Sequence, residues 1–382
     1  LKFGNSHLAY CTNIHPAETW ADTQLMLQSH VLAVRDLLRE QGLLKPQEPF
    51  AIGLRLSAVA AEELLHGPKN LNGFRQWLAE TNTYVFTING FPYGSFHGTR
   101  VKEKVFQPDW TDPARMAYTK NLFRILAAIA PAGSSASVST LPGSHKTFLA
   151  DESLIRGNLI DFAQWLDNLS NESGHDFHLG MEPEPLGHFE NTAETLAFFE
   201  RLHADAKKPD ILRRRIGVNY DACHFALEYD EPHASLDSLT SSGIRISKIH
   251  ISSALAFDPG DPAAIDAIRR FDEPTYFHQV LLRAPSGEIS RFIDLPDFLA
   301  ALPSLAAHDE ARVHFHIPLD AQPAPPLRST LSHARDVLDW CRSHPDACHH
   351  FEIETYTWGV LPETLKRPVE QQIAGEYRWV LT

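Results

Sequence analysis

The chain has 382 residues, 43% of them hydrophobic and 21% charged, enough apolar material for a large core, which excludes a mainly disordered or collagen-like chain. Its formal net charge is -14 with histidine neutral, the wrong sign for a protein whose main partner is a nucleic-acid backbone. Four cysteines do not make a disulfide framework, whereas 21 histidines outnumber the nine tyrosines and seven tryptophans together and direct attention to metal ligation as well as to packed or surface imidazoles.

The opening residues Leu1-Lys2-Phe3-Gly4-Asn5-Ser6-His7 carry no basic stretch followed by an apolar run. The stretch Ile125–Ala130, ended by Pro131, is far shorter than the ~20 residues that cross a bilayer. A cytoplasmic protein without membrane insertion is expected. Strand-like runs then recur: Leu8–Ile14, Phe50–Leu56, Tyr84–Gly90, Ala136–Leu141, Phe177–Glu182, Ile216–Asp221, Ile246–Ile251, Val313–Ile317 and Phe351–Thr355. Helical stretches separate most of them. One runs from about Trp20 to Leu38, another starts at Ala58, and a third, Leu154 to Leu169, places Leu159, Phe162, Leu166 and Leu169 on one face. Asn191 is placed to cap a helix over Thr192–Leu202, with Glu194 three residues on to answer the free amides of the first turn.

Strand then helix, repeated about eight times, predicts an α/β fold of the (β/α)8 TIM-barrel type, read as a single domain over 1–382. A barrel takes about 250 residues, so the surplus is assigned to insertions at 90–113 and 255–320. Within the second, Gln279–Arg283, Pro285-Ser286-Gly287 and Glu288–Arg291 read as a hairpin, so an added strand or hairpin is expected in the C-terminal third. Nine strand candidates exceed a closed barrel by one, and the pattern does not say which of the last three stands outside. A doubly wound sheet would bring a glycine fingerprint after its first strand, and Cys11–Pro16 has none.

Barrel enzymes collect their chemistry at the C-terminal ends of strands. Here those ends carry Glu182 and Glu184, then Asp221 and His224, then Lys248 and His250, then Glu352 and Glu354. Each residue has an ordinary structural reading as a cap, a surface group or a packed imidazole. Their conjunction from four strands predicts one divalent metal ion held by Glu182, Asp221, His250 and Glu354, with Glu352, of the same parity as Glu354, as the competing fourth ligand. Oxygen and nitrogen ligands of this kind suit Mn, Zn, Co, Fe or Mg. Cys341, His344, Cys348, His349 and His350 superficially suggest zinc but lack a regular finger spacing.

These segments resemble the xylose isomerase-like superfamily of barrels, which includes sugar isomerases, ketose epimerases and endonuclease IV. The chain is more closely similar to the metabolite traffic proteins of bacterial ebo gene clusters. The segments that carry the likeness span nearly the whole chain: Tyr10–Pro16, Gly53–Ser57, Asn89–Gly94, Glu182–Pro185, Asp221–His224, His314–Pro318 and Glu354–Trp358. The resemblance implies the same ligand set, Glu182, Asp221, His250 and Glu354, and places His224 against substrate. Two departures accompany it. Ser252, Ser253 and Ala254 follow His250 where many members place an aspartate, and His314 and His316 are histidines that simple epimerases do not need.

The expected activity is a metal-dependent isomerisation or epimerisation of a sugar, polyol or related hydroxy-carbonyl metabolite through an enediolate, with Glu182, Glu354 and His224 as catalytic residues. Arg55, Asn89, Lys248 and His316 are the expected contacts to a small polar metabolite, and His316, later in its run than His314, is expected nearer the pocket. Tyr93 is a further candidate for substrate contact. The alternatives are a metal-containing metabolite-binding or traffic protein without turnover and, with less support from the charge balance, a metal-assisted hydrolase. Homo-oligomerisation is compatible with all three.

Overall fold

A computed structural model of the protein describes residues 1–95, 102–305 and 310–382; residues 96–101 of the expected 90–113 insertion and 306–309 of the 255–320 insertion lie outside the described residues. The strand β1 (Lys2–Phe3) is a short antiparallel lip on β2 (Ser6–Tyr10). From β2 the chain alternates strand and helix through β3 (Phe50–Arg55), β4 (Thr83–Asn89), β5 (Ser135–Thr140), β6 (Asp176–Met181), β7 (Ile216–Asp221) and β8 (Arg245–Ile251). It then leaves the barrel for five short strands, β9 (Leu255–Phe257), β10 (Val280–Arg283), β11 (Ile289–Phe292), β12 (Glu310–Val313) and β13 (Arg328–Ser329). These form an antiparallel sheet in the order β11-β10-β12-β9-β13. The chain returns as β14 (His350–Ile353), which pairs in parallel with both β8 and β2. The result is the expected α/β barrel of parallel strands, and the expected hairpin is β10–β11.

The surplus strand candidate is Val313–Ile317. Only its first residue is strand, at the end of β12, and β12 pairs antiparallel in the added sheet; His314–Ile317 is extended chain without a ladder. That sheet has its own apolar core, including Leu255, Phe257, Val280, Leu282, Phe298 and Val313.

Local chemistry explains the element boundaries. Every residue of β3 and of β7 is buried, as suits parallel strands covered on both faces. Ser57 Oγ accepts from Ala60 N to start Ala58–His66, and Asp151 accepts from Ser153 N to start Glu152–Ser173, which Gly174 ends at a φ of 73°. Asn191 accepts from Glu194 N to start Thr192–Asp205, but the Glu194 carboxylate takes the Glu190 amide rather than that of Asn191, so half of the expected box forms. The seam between β2 and β3 is closed by the parallel bridge of Cys11 with Gly53. A Cβ on Gly53 would stand 2.6 Å from the Tyr10 carbonyl and collide with Glu352 Oε1, so the two backbones meet because residue 53 has no side chain. No helix among the described residues is long and apolar enough to cross a membrane.

Several of the numerous histidines fill the barrel floor. The ring of His350 lies 4.9 Å from that of His178, 5.0 Å from Phe86 and 5.9 Å from His7, between centroids. Each imidazole bonds a hydroxyl: His350 with Ser137 at 2.8 Å, His178 with Ser135 at 3.0 Å and His7 with Tyr84 at 2.8 Å. Burial pushes His7 down to about 4 and holds His178 and His350 well below the usual imidazole range. All three are therefore neutral at pH 7. Their folded-state values lie below the unfolded value, so the stability they contribute is present above about pH 6.5 and is lost as pH falls, because the unfolded chain takes up protons the folded one refuses. Denaturant unfolding should show stability falling as pH drops below about 6.5, the slope steepening toward roughly 1.4 kcal/mol per pH unit for each of His178 and His350 as the unfolded chain becomes fully protonated. His350→Gln should flatten that slope by about one proton; an unchanged slope would refute the assignment.

Candidate metal centre

The ends of β6, β7, β8 and β14 bring Glu182, Asp221, His250 and Glu354 together at the mouth of the barrel. Each offers one ligand atom, the four atoms lie within 4.8 Å of one another, and all four residues are buried. Glu182 directly follows β6, Asp221 ends β7 and caps the helix Ala222–Leu227, His250 points inward from β8, and Glu354 directly follows β14. His250 Nδ1 stands 2.9 Å from Glu354 Oε2, 3.2 Å from Glu182 Oε1 and 3.4 Å from Asp221 Oδ2.

The three carboxylates share one design: one oxygen is committed to the protein and the other faces the centre. Glu182 Oε2 accepts from Asn219 Nδ2 at 2.8 Å. Glu354 Oε1 accepts from Asn13 Nδ2 at 2.8 Å and from Asn89 Nδ2 at 3.3 Å. Asp221 Oδ1 accepts from the amides of Cys223 and His224 and from Ser252 Oγ, at 2.8, 3.2 and 2.6 Å. Asp221 Oδ2 is buried with no hydrogen bond. A buried carboxylate oxygen left without a donor is a place for a cation, and three oxygens with one imidazole nitrogen suit a divalent ion.

Behind these groups lies a second layer. Lys248 Nζ donates to Glu352 Oε2 and, at 2.9 Å, to Ser139 Oγ; Glu352 Oε2 stands 3.2 Å from His250 Nε2. An Nε2–H donated to Glu352 turns Nδ1 toward the three carboxylates, the orientation by which a carboxylate tunes a metal-binding histidine. Burial alone would lower His250, but Glu354 and Glu182 outweigh it and raise the group well above the usual range. Burial pushes Asp221 up, yet His224, His316 and His250 hold it well below the ordinary carboxylate value; Glu182 is likewise lowered, against burial, by His250. Burial pushes Glu354 up to about 7, His250 opposing and Glu182 adding. Glu184, pushed well above its usual value by burial and then by Glu182 and Glu354, is a neutral acid with a buried, unpartnered oxygen.

A cavity opens over the cluster. Its polar floor includes Asn13, Asn89, Glu182, Glu184, His224 and Glu354, and its wall includes Phe91, Phe106, Tyr276, Phe277 and Tyr356. His224 lines it, with Nδ1 bonded to the Pro183 carbonyl at 3.0 Å. The second histidine motif divides differently from expectation. His314 lines the cavity, and His316 lies deeper, with Nδ1 bonded to the Glu354 carbonyl at 3.0 Å. The motif is not a barrel strand, so its position along a strand does not rank its depth.

Lys248 and Arg55, expected at substrate, do not line this cavity. Lys248 sits two residues before His250, one layer down the barrel, and is engaged by Glu352. The Arg55 guanidinium donates to the carbonyls of Ala17, Pro92 and Gly94 and pairs with Glu18 at 3.5 Å, bracing loops at the rim. Tyr93 packs edge-on against Tyr118. Glu352, the competing ligand, belongs to the second layer. Asn13 and Asn219 were not singled out. Asn219 shares parity with Asp221 and could have been found that way; Asn13 follows its strand in a turn and has no such signal.

No protein-family model matches the chain, and no curated protein matches it. Among solved structures it is similar to the IOLI protein with a binding zinc atom, at 13% identity over 98% of this chain and 97% of that one, with a TM-score of 0.45. It is also similar to the probable 3-DHS dehydratase AsbF from Bacillus anthracis, at 10% identity over 99% and 98%, TM-score 0.48. A third likeness is to a xylose isomerase domain containing protein from Salmonella typhimurium LT2, at 10% identity over the full length of both chains, TM-score 0.46.

Two substitutions test the centre. Asp221→Asn keeps an oxygen for the helix cap and replaces the free oxygen by an amide; Mn²⁺ affinity, read by calorimetry, should fall at least ~100-fold while the melting temperature of the metal-free protein changes little. Glu352→Gln, which touches no free ligand atom, should weaken binding by roughly 10- to 100-fold. Unchanged affinity in both would remove the ion from this site.

Proposed function

We propose that the protein is a divalent-metal-dependent isomerase or epimerase of a small hydroxy-carbonyl compound, such as a sugar or a polyol-derived ketone. The observation that carries this reading is the pair Glu182 and Glu354. They come from strands separated by β7 and β8, face one cavity, and have one oxygen each held by an asparagine. Their charge preferences are opposed: Glu182 is held ionised, and Glu354 is pushed up to about 7. A base and an acid set apart by environment suit the removal and return of a proton beside a carbonyl.

In this reading Glu182 takes the proton from the carbon next to the carbonyl, and the electron pair of the broken C–H bond moves toward the carbonyl oxygen as an enediolate. Glu354 returns a proton from the other side. A bound divalent ion supplies positive charge where that oxygen becomes negative. Neutral Glu184 donates a hydrogen bond to a substrate hydroxyl, and His224, its Nδ1–H held by Pro183, presents Nε2 as an acceptor to another. Asn219 and Asn13 keep the two carboxylates from turning away.

The aromatic wall of Phe91, Phe106, Tyr276 and Phe277 favours a second reading, a protein that grips an amphipathic metabolite through the ion and does not turn it over. Solvent exchange separates the two. Metal-loaded protein incubated with hydroxy-ketones in heavy water should exchange the proton beside the carbonyl, followed by NMR, even where net conversion is slow. Glu354→Gln should lose that exchange at one face of the substrate, the face it serves, by roughly 10²-fold or more while retaining ligand binding. Exchange intact at both faces in Glu354→Gln would refute the role assigned to it, and saturable binding without exchange would establish the carrier.

A further inference from the structure

We propose that the substrate is a hydroxy-ketone carrying an apolar substituent, aryl or branched alkyl, rather than a free sugar or a sugar phosphate, and that Phe106 and Phe277 select for that substituent. This narrows the hydroxy-carbonyl class named above. It rests on the isomerase reading for what happens to the head of the molecule, and not for where the remainder lies. The polar floor and the groups around it line one continuous cavity, so a substituent attached to the hydroxy-carbonyl unit has to enter the space lined by Phe91, Pro92, Val105, Phe106, Leu186 and Phe277.

These side chains are held by their neighbours. Phe91 and Phe106 meet at 5.6 Å and 60°, and Phe106 packs edge-on against His145 at 4.8 Å. The His145 ring lies nearly parallel to Phe277, 6.4 Å away at 19°. Lys102 Nζ stands 5.1 Å from the centre of the Phe277 ring. Leu186 reaches the cavity from a φ of 65°, a conformation that favours glycine. Both insertions build this wall. The short helix Lys102–Phe106 belongs to the one after β4, and Phe277 precedes β10 in the other. Lys102 also pairs with Asp294, which caps the helix Leu295–Ala301, and so ties the two insertions to each other.

The wall has little hydrogen-bonding capacity to spare. Among the described residues that line the cavity, Lys102 is the one ammonium or guanidinium group, and Asp294 engages it. Tyr276 and Tyr356 are engaged with neighbours, their rings edge-on at 5.3 Å. His314, whose Nε2 has no partner, packs against His224 at 4.9 Å and so belongs to the head end. The tail hydroxyls of a sugar would exchange water for carbon there, and a hydroxyl taken out of water without a partner weakens binding. A phosphate would find the lysine already neutralised and the buried carboxylates of the floor close by. An apolar substituent gains from the same surroundings, and an aryl group gains further from tilted and edge-on ring contacts.

The test is a ligand series. Full-length protein loaded with Mn²⁺ is titrated by calorimetry with hydroxyacetone, with its homologues in which ethyl, propyl or phenyl replaces methyl, and with fructose and fructose phosphate. The same mixtures are followed for proton exchange in heavy water. Each added methylene should tighten binding roughly fourfold, and phenyl should exceed methyl by roughly 10- to 100-fold. Fructose and its phosphate should bind no more tightly than hydroxyacetone. Phe106→Ala and Phe277→Ala should each cut the phenyl-over-methyl ratio by about 10-fold, whereas Glu354→Gln should keep the ratio and lose exchange at its face. The wild-type series needs no variant to fold. A flat series, or fructose or its phosphate binding more tightly than the phenyl ketone, overturns the apolar substrate; exchange of fructose in that case leaves the isomerase reading standing. A ratio that survives both phenylalanine variants overturns the role given to Phe106 and Phe277. The expected ratio with no exchange in any ketone upholds the apolar ligand and overturns the isomerase reading instead. No binding of any ketone overturns both.

Discussion

Buried negative charge governs the arrangement at the mouth of the barrel. Glu182, Asp221, Glu352 and Glu354 are all buried there, with the Lys248 ammonium and the His250 imidazole among them. An isolated buried carboxylate is prohibitively unfavourable, so each must be answered by a cation, a donor or a proton. Lys248 answers Glu352. Asparagine amides answer one oxygen each of Glu182 and Glu354, and a helix N-terminus answers one of Asp221. The oxygens left over on Glu182, Asp221 and Glu354 face one point, where a divalent ion would settle the imbalance. The same constraint explains why burial and the neighbouring carboxylates push Glu354 up to about 7, against His250, and Glu184 well above its usual value.

The strands and the four converging ligands were legible because both follow period-two parity. In a parallel barrel strand, the inward positions two residues apart form successive layers, and the inward residue nearest the C-terminal end reaches the mouth. That places Glu182, Asp221, His250 and Glu354 at the rim. The same rule, applied to depth, accounts for Lys248: two residues below His250 it belongs to the supporting layer, although its charge suggested substrate. The added sheet was only half legible. Turn chemistry announced the β10–β11 hairpin, but the alternation of Val313–Ile317 reads identically whether the chain joins a barrel, an antiparallel edge or no ladder at all. Hydrophobic period carries no information about the direction of pairing. Arg55 was legible as a cation at a strand end but not as a brace, because backbone carbonyls that gather around a guanidinium leave no trace in residue type.

The added sheet changes the character of the site as well as its size. Its connecting chain contributes Tyr276, Phe277 and His314 to the cavity and His316 to the cluster behind it. The polar floor therefore belongs to the barrel and much of the apolar wall to the insertion. That division is a familiar outcome when a rigid scaffold fixes the chemistry and appended elements set what fits above it.

The C-terminal helix Val369–Leu381 ties these parts together. Glu376 Oε1 accepts from Thr355 Oγ1 at 2.6 Å and from Leu319 N at 3.0 Å, so one carboxyl holds both the turn after Glu354 and the chain after His316. The strand before it, β14, joins β8 to β2 and delivers Glu354 in the same stretch. Circular closure of the sheet and completion of the ligand set are therefore one event. During vectorial synthesis, Glu182, Asp221 and His250 all emerge more than a hundred residues ahead of Glu354. Until β14 and its buttressing helix follow, those three ligands stand on an open sheet with its β2 and β8 edges unpaired. The four-residue ligand set is thus complete only at the last stage of folding, when the ribosome has released the segment that turns a curved sheet into a ring.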